Sequence, residues 1–247
     1  MCPASKAKIS MVSQLTAKAS SSKERKFAPA TPDTLRNISR SEFVFASLRD
    51  AIWEGRFAPG ERIAEEEIAQ SLGVSRTPVR DALRRLQERG MLVVGASRSL
   101  IVAELSTPQV LELYAMREIM EGAAARLAAE HASAPEVHAL RDIEQAFIEA
   151  SAPDAAEMAR LNRAFHEAIC RAARNRYLDN ASRELQDWIA LLGPTTFTVS
   201  GRPSTSHGEH QAIIDAIAAR KGDEAEQLAR AHIREALRCR LKLLQKQ

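Results

Sequence analysis

Three histidines and one asparagine in the second half of the chain have the types and spacing of a metal-binding set. Asn162 and His166 are four residues apart in a helical pattern, so they lie one above the other on the same face. His210 and His232 each lie on the apolar side of a different helical segment. Burying three imidazoles in one bundle is costly unless a partner such as a divalent metal accepts their nitrogens. A single inward histidine is more often an ordinary core residue, so a metal-free core stays open at this point.

A second set of residues, in the segment Ser75 to Leu86, has the pattern of a helix that reads the DNA major groove. Apolar residues recur at helical spacing on one face, and another face carries Arg76, Thr77, Arg80 and Arg84. Ser75 is expected to cap the free amides at the start of this helix, and Gly90 to end it. The alternative interpretation of such a charged face is simple exposure to solvent.

The elements on either side of this segment complete a winged helix-turn-helix pattern. Ala64 to Leu72 predicts a short amphipathic helix, which Gly73-Val74 joins to the arginine-bearing helix by a tight turn. Met91 to Val94 and Leu100 to Ala103 predict a β-hairpin wing. Arg98, at the polar tip of the hairpin, is placed to contact a phosphate or the minor groove.

The chain divides by pattern into three parts. Residues 1–38 lack a sustained apolar period, which predicts a disordered basic arm, and residues 39–105 form the winged domain, with a first helix over Ser41 to Glu54. Residues 106–247 keep a helical period throughout. The predicted fold is therefore mainly α, with an N-terminal winged helix-turn-helix domain and a C-terminal antiparallel all-α helical bundle.

The bundle is expected to contain helices over Thr107 to His131, Pro135 to Ala150, Asp154 to Ala173, Arg176 to Leu192, Gly208 to Lys221 and Asp223 to Leu244. Thr107 is expected to cap the first of these helices, and Asp223 with Glu226 to form a capping box for the last. The break at Thr195 to Ser206 predicts a long loop and a candidate lid over a pocket.

Composition limits the classes of protein to consider. The 247 residues, 45% of them apolar, suffice for two packed domains, and no stretch approaches the roughly 20 apolar residues of a membrane helix. The net charge of +3 resides in the arm, because residues 1–40 carry 8 positive and 2 negative side chains. Three cysteines without metal-motif spacing, Cys2, Cys170 and Cys239, indicate a reduced, cytoplasmic setting.

The stretch Leu48 to Val102, with Leu-Gly-Val-Ser-Arg-Thr-Pro-Val-Arg over residues 72–80, closely resembles the winged helix-turn-helix of GntR-family transcription regulators. The resemblance implies base and phosphate contacts for Arg76, Thr77 and Arg80, with Ser75 helping at the DNA backbone. Two positions depart from the pattern. Ser99 stands where the wing usually has glycine, and Glu66 stands where some members place a DNA-contacting arginine.

The second part resembles the FCD effector domain of the FadR-type branch of the same family. The similar stretches are Asn162-Arg-Ala-Phe-His166, Glu209-His210-Gln-Ala-Ile and His232-Ile. The resemblance implies a divalent metal held by Asn162, His166, His210 and His232, with zinc favoured and nickel or manganese as alternatives. Asparagine in place of the commoner aspartate makes the site one charge less negative.

Members of this branch commonly sense small organic acids, whose carboxylate ligates the metal and meets an arginine. The resemblance assigns this arginine to Arg117, whose guanidinium fork suits a carboxylate. A helix-surface ion pair of Arg117 with Glu121 is the equally open alternative, and Arg163 and Asn175 are weaker effector-binding candidates.

These features predict a homodimeric transcription regulator, most simply a repressor, whose operator binding responds to an effector in the bundle. A metal-dependent hydrolase using three histidines and a bound water is an alternative, although a suitable general base is lacking. A third alternative is a bundle that serves oligomerisation without any ligand.

Overall fold

The computed structural model describes residues 27, 38–96, 98–150 and 154–245, which divide into two compact units between Ala103 and Glu104. The first unit contains α1 (Arg40–Trp53), β1 (Arg62–Ile63), α2 (Glu65–Leu72), α3 (Arg76–Glu88), β2 (Leu92–Val94) and β3 (Leu100–Val102). The predicted arm, residues 1–38, lies almost entirely outside the described residues. In the described part of the chain, no helix combines the length and apolar character needed to cross a bilayer.

The core of the first unit forms between α1 and α3. The apolar stripe of α3 is fully buried, as its spacing predicted, through Val79, Ala82, Leu83 and Leu86. Val44 and Leu48 of α1 are also completely buried. Burying a side chain of this kind contributes about 1.5–3 kcal/mol, so the stripe fixes which face of α3 remains outside.

A three-stranded antiparallel sheet follows, in the order β1-β3-β2. The predicted hairpin is present, with Leu92 opposite Val102 and Val94 opposite Leu100. Strand β1 was not predicted, because two residues are too few to show an alternating pattern. It pairs with β3 on the opposite edge from β2, with Arg62 opposite Ile101.

The second unit is a helical bundle. Its elements are α4 (Thr107–His131), α5 (Ala134–Glu149), α6 (Ala155–Ala172), α7 (Arg176–Ala190), a single 3₁₀ turn (Thr196–Thr198), α8 (Arg202–Ala218) and α9 (Gly222–Leu244). The predicted fold class, a winged domain followed by an all-helical domain, is therefore confirmed.

The longest helices, α4 and α9, pack closely because α4 carries small residues on its buried side: Ala124, Ala125, Ala128 and Ala129. Gly122 continues this surface, since a Cβ there would lie 2.8 Å from Cγ of Arg230 on α9. Glycine in a helix interior is destabilising by about 0.5–1 kcal/mol relative to alanine. At position 122 the close approach of Arg230 leaves no room for the methyl group of alanine.

The predicted capping interaction was wrong at three helix starts. The hydroxyl of Ser75 makes no capping hydrogen bond. Helix α4 is capped by Ser106, whose backbone N donates to Gln109 Oε1 at 2.9 Å, rather than by Thr107. The Asp223 and Glu226 carboxylates do not form a capping box, because α9 begins at Gly222 and both contact Arg126 of α4 instead.

The expected long loop at Thr195 to Ser206 was also wrong. A 3₁₀ turn occupies its beginning, and α8 starts at Arg202, six residues before the predicted start. Phe197 packs edge-on against Phe147 with ring centroids 5.3 Å apart, and Arg202 is 3% exposed. A segment packed in this way does not form the predicted lid.

We expect Gly122→Ala and Gly208→Ala to have opposite effects on thermal stability. Both glycines lie inside helices, but a Cβ at Gly208 meets no atom within 4 Å. Gly208→Ala should therefore raise the melting temperature by about 1–4 °C. Gly122→Ala should lower the melting temperature, because the new methyl group collides with Arg230 at a cost of about 1–3 kcal/mol. Calorimetry on both variants measures the difference, and equal stabilisation would contradict the assigned role of Gly122.

Candidate metal centre and nucleic-acid interface

The exposed side of α3 carries the residues that the sequence assigned to DNA. Ser75, Arg76, Thr77 and Arg80 are all exposed at the beginning of the helix, and Arg84 is exposed one turn later. The turn before the helix is tight because Gly73 adopts a left-handed conformation, with φ of 66°. The arrangement presents three guanidinium groups and two hydroxyls along one accessible helix face.

The other two arginines, in α3 and just after it, place their guanidinium groups near Phe45 of α1. Arg85 forms a 2.8 Å ion pair with Glu42, and its guanidinium lies 4.1 Å from the ring centroid of Phe45. Arg89 lies 5.0 Å from the same centroid. Five arginines in this segment therefore divide into three that face outward and two that pack against α1.

Each outward arginine has an acidic partner. Arg76 Nη2 donates to Glu66 Oε1 at 2.6 Å, and Arg80 Nε donates to Glu65 Oε2 at 2.9 Å. Arg84 contacts both Asp81 and Glu88 at 3.2 Å. Exposed ion pairs contribute only about 0–1 kcal/mol, so these guanidinium groups remain able to exchange partners.

The tip of the wing is a tight turn. Gly95 N donates to the Ser99 carbonyl at 2.8 Å, and Arg98 is exposed in a left-handed conformation with φ of 58°. The left-handed position of this turn is therefore taken by Arg98 itself, at a cost of roughly 1–2 kcal/mol for a residue with a Cβ.

In the second unit, three helices bring their histidines together. His166 of α6, His210 of α8 and His232 of α9 are 7%, 0% and 2% exposed. One ring nitrogen from each lies within 4.8 Å of the others, so the three rings converge on one point that could hold a metal ion. The Nε2 atoms of His166 and His232 are 3.3 Å apart.

Every one of these imidazoles has a glutamate at its Nδ1. The pairs are His166 with Glu121 of α4 at 2.6 Å, His210 with Glu144 of α5 at 2.7 Å, and His232 with Glu209 of α8 at 2.7 Å. The hydrogen bonds at Nδ1 of His210 and His232 fix the ring orientation and keep the proton on Nδ1. The Nε2 lone pairs of these two rings are thereby left to bind a cation. The contact of His166 with Glu121 is as short, but Glu121 Oε2 lacks a well-aligned hydrogen bond among the described residues.

Asn162 is the fourth residue that the sequence assigned to the metal. It lies one turn before His166 on α6, and its Oδ1 is shielded from solvent without a hydrogen-bond partner among the described residues. Buried polar atoms without a partner are rare in folded proteins and require an explanation. Three imidazole nitrogens and one amide oxygen fit a divalent transition metal such as zinc, nickel or manganese.

Burial and neighbouring charges shift the pKa values of several groups in the cluster. Burial lowers the pKa of His210 to about 4 and that of His232 well below its usual value, so both rings are neutral at pH 7. Burial opposes ionisation of Glu121, but His166 and Arg117 outweigh this effect and lower the pKa of its carboxyl to about 2. The neutral rings of His210 and His232 and the ionised carboxylate of Glu121 favour metal binding, whereas burial raises the pKa of Glu209.

Arg117 lies next to this centre. It is 7% exposed and donates from Nε to Glu121 Oε1 at 2.9 Å. The ion pair with Glu121 that the sequence left open is thus present, but it is buried rather than on the helix surface. Because the same carboxylate contacts His166, Glu121 connects the guanidinium to the histidines.

The two weaker effector-binding candidates lie elsewhere. Asn175 is exposed and caps α7, where its Oδ1 accepts from the backbone amides of Tyr177 and Leu178. Arg163 follows Asn162 on α6, so it points about 100° away from the ligand face.

Sequence reasoning missed three residues around the histidines. Glu144 gave no signal, because its partner His210 lies 66 residues away. Arg202 and Ser206 were missed because they lie in the segment that was predicted to be a loop. Arg202 Nη1 donates to Glu209 at 2.7 Å, and Ser206 Oγ lies 3.4 Å from His210 Nε2. The spacing of Ser206 and His210, four residues apart, was the one available sequence signal.

Comparison with known proteins agrees with both units. Residues 40–102 match the model of bacterial regulatory proteins of the gntR family, and residues 112–235 match the FCD domain. The "Nta operon transcriptional regulator" of Aminobacter aminovorans is 35% identical over 177 residues, covering 72% of this chain and 83% of that protein.

A second relative and a solved structure extend the comparison. The "Probable D-xylose utilization operon transcriptional repressor" of Paenarthrobacter nicotinovorans is 32% identical, covering 81% of this chain and 89% of that protein. The structure of E. coli McbR/YncC has the same fold, with a TM-score of 0.76 at 20% identity over 84% of this chain and 99% of that one. The chain therefore belongs to the GntR family of bacterial transcription regulators, in the FadR-type branch that carries an FCD domain.

Proposed function

We propose that the protein is a homodimeric repressor whose operator binding is controlled by a small organic acid bound at a metal in the FCD domain. The main observation that supports this proposal is the buried histidine cluster, in which each ring has a glutamate beside it. The Asn162 Oδ1 atom, one turn from His166, has no hydrogen-bond partner among the described residues. The family is one of regulators rather than enzymes, so the hydrolase alternative is set aside. Cys170 and Cys239 are free and buried, which fits the reducing cytoplasm expected from the sequence.

At the DNA, the exposed face of α3 enters the major groove. Arg76 and Arg80 offer forked donors to guanine or phosphate, Thr77 contacts the adjacent edge, and Ser75 contacts the backbone. Arg84 and Arg98 add phosphate contacts at the two ends of the interface. A twofold dimer places two such helices in successive major grooves of an imperfect palindrome.

At the effector site, the metal would supply a Lewis acid for the carboxylate oxygen of the effector. Asn162, His166, His210 and His232 would hold the ion, while Glu121, Glu144 and Glu209 keep the rings oriented. Arg117 donates from Nε to Glu121 and also interacts with the Tyr114 side chain, but a guanidinium has five N–H donors. Its other donors suit the effector carboxylate.

Helix α4 offers a route between the two functions. It carries both Arg117 and Glu121, and it begins at Thr107, five residues after β3 ends at Val102. An effector that draws Arg117 away from Glu121 would change the position or freedom of α4 and, through this short connection, of the winged unit. Affinity for DNA and for the effector are then reciprocally coupled.

The DNA assignment is tested with Arg80→Ala on an operator selected from a randomised duplex library. We expect a loss of about tenfold or more in operator affinity, because each good arginine contact discriminates by about 1–3 kcal/mol. Arg183→Ala is the matched control, since Arg183 is an exposed, ion-paired arginine of α7. Wild-type affinity of Arg80→Ala in an anisotropy titration would show that α3 is not the reading helix.

The metal assignment is tested by elemental analysis after loading with zinc, nickel or manganese. Wild-type protein should retain one ion per chain, and His232→Ala should lose it because a buried ligand nitrogen is removed. His138→Ala, at an exposed histidine of α5, should retain the ion. If no ion is retained by the wild-type protein, the alternative of a metal-free oligomerisation bundle would be favoured.

Asn162→Asp should increase metal affinity. The variant replaces a neutral oxygen by a charged one at the same position, and one additional charge near the ion is worth at least about tenfold at the effective dielectric of a protein. Asn162→Ala should weaken binding by removing the oxygen altogether. Competition with a chelator measures both changes, and identical affinities in all three proteins would exclude Asn162 as a ligand.

A further inference from the structure

Two glutamates at the start of α2 hold the arginines at the start of α3. Glu66 accepts from Arg76 at 2.6 Å and Glu65 accepts from Arg80 at 2.9 Å.

The position of the carboxylates does not depend on the arginines alone. Glu65 and Glu66 are the first two residues of α2, where the free amides and the helix dipole favour negative charge. The side chain of Glu66 is 72% exposed and that of Arg76 is 59% exposed, so this pair lies at the surface that meets DNA. The side chain of Glu65 is less accessible, at 26%.

We propose that Glu65 and Glu66 are specificity-determining residues, which orient the reading arginines and suppress their binding to phosphate at random sequence. The proposal rests on the DNA-reading role of Arg76 and Arg80 proposed above. In the free protein, each pair occupies one of five guanidinium donors and restricts the side chain to an orientation along the face of α3.

The two kinds of DNA complex differ in what they offer the carboxylate. Binding to random sequence is driven by cations replacing counterions at phosphates, and a carboxylate beside the cation opposes this exchange. At a cognate site, the amino groups of cytosine and adenine in the major groove donate to a carboxylate, whereas a phosphate has no donor. The carboxylates therefore weaken mainly the non-specific complexes with DNA.

A purely structural role of the pairs makes a different prediction. If the pairs only fastened α2 to α3, their removal would lower the melting temperature and leave the ratio of specific to non-specific affinity unchanged. Exposed pairs contribute little to folding, so we expect Glu66→Gln to melt at nearly the wild-type temperature.

The test uses the full chain and two fluorescent duplexes of about 30 base pairs, or three helical turns. One duplex has mixed sequence, and the other is selected by the wild-type protein from a randomised library. Glu66→Gln should bind the mixed duplex about two- to fivefold more tightly, and the ratio of the two affinities should fall correspondingly. Glu54→Gln, which removes one carboxylate of the same unit paired with Arg56, should change the ratio much less.

A double-mutant cycle distinguishes an effect that Glu66 has through its ion pair with Arg76 from the simple loss of one negative charge. In an Arg76→Gln background, Glu66→Gln should increase binding to the mixed duplex by less than half as much as in the wild-type background. Equal gains in both backgrounds, or the same gain with Glu54→Gln, would overturn the inference. If Arg76→Gln and Arg80→Ala both leave DNA binding intact, Arg76 and Arg80 do not read the DNA. That result would contradict the proposed function, and it is distinguishable from a failure of the inference on Glu65 and Glu66.

Discussion

The structure of the second unit depends on the burial of three imidazoles beside one another. Removing a polar ring from water without a partner costs several kcal/mol, and three such rings in one place would destabilise an ordinary core. The cost is offset on one side by a carboxylate at each Nδ1. One nitrogen of each ring faces the shared centre, so each ring has a carboxylate on one side and the other two imidazoles on the other.

This arrangement requires all the long helices of the bundle except α7. The histidines come from α6, α8 and α9, while their carboxylates come from α4, α5 and α8. Helix α4 also packs against α6, which places Glu121 within reach of His166. Burial of Arg202 at the start of α8 then holds Glu209 against His232. The Arg202 Nη2 atom also lies 3.4 Å from His232 Nδ1, but two donors cannot bond to each other, so the proton on Nδ1 is directed at Glu209.

The sequence predicted features that depend on one segment at a time. The apolar stripe of α3 repeats over its whole length, and the histidines sit on apolar faces, so both followed from periodicity. Contacts that depend on how helices cross could not be predicted from the sequence, and the contact of Glu144 with His210 is the clearest case.

The start of α8 was predicted wrongly for another reason. Gly201, Pro203 and the seven hydroxyl residues from Thr195 to Ser206 have loop propensity. However, Gly201 adopts a left-handed conformation as the N-cap, and Pro203 fits the first turn of a helix. Tertiary packing of Phe197 and Arg202 overrides what remains of that propensity.

The charges around the histidines bear on the nature of the proposed effector. Three carboxylates, those of Glu121, Glu144 and Glu209, outnumber the two guanidinium groups of Arg117 and Arg202 by one. A divalent ion would therefore leave the cluster with one excess positive charge, and buried charge without a counter-charge is strongly disfavoured. Aspartate at position 162 would cancel that excess internally, whereas Asn162 leaves it to be cancelled by a bound anion. If the proposed metal and effector bind at this cluster, Asn162 would favour a singly charged carboxylate as the effector and would make the two binding events mutually dependent.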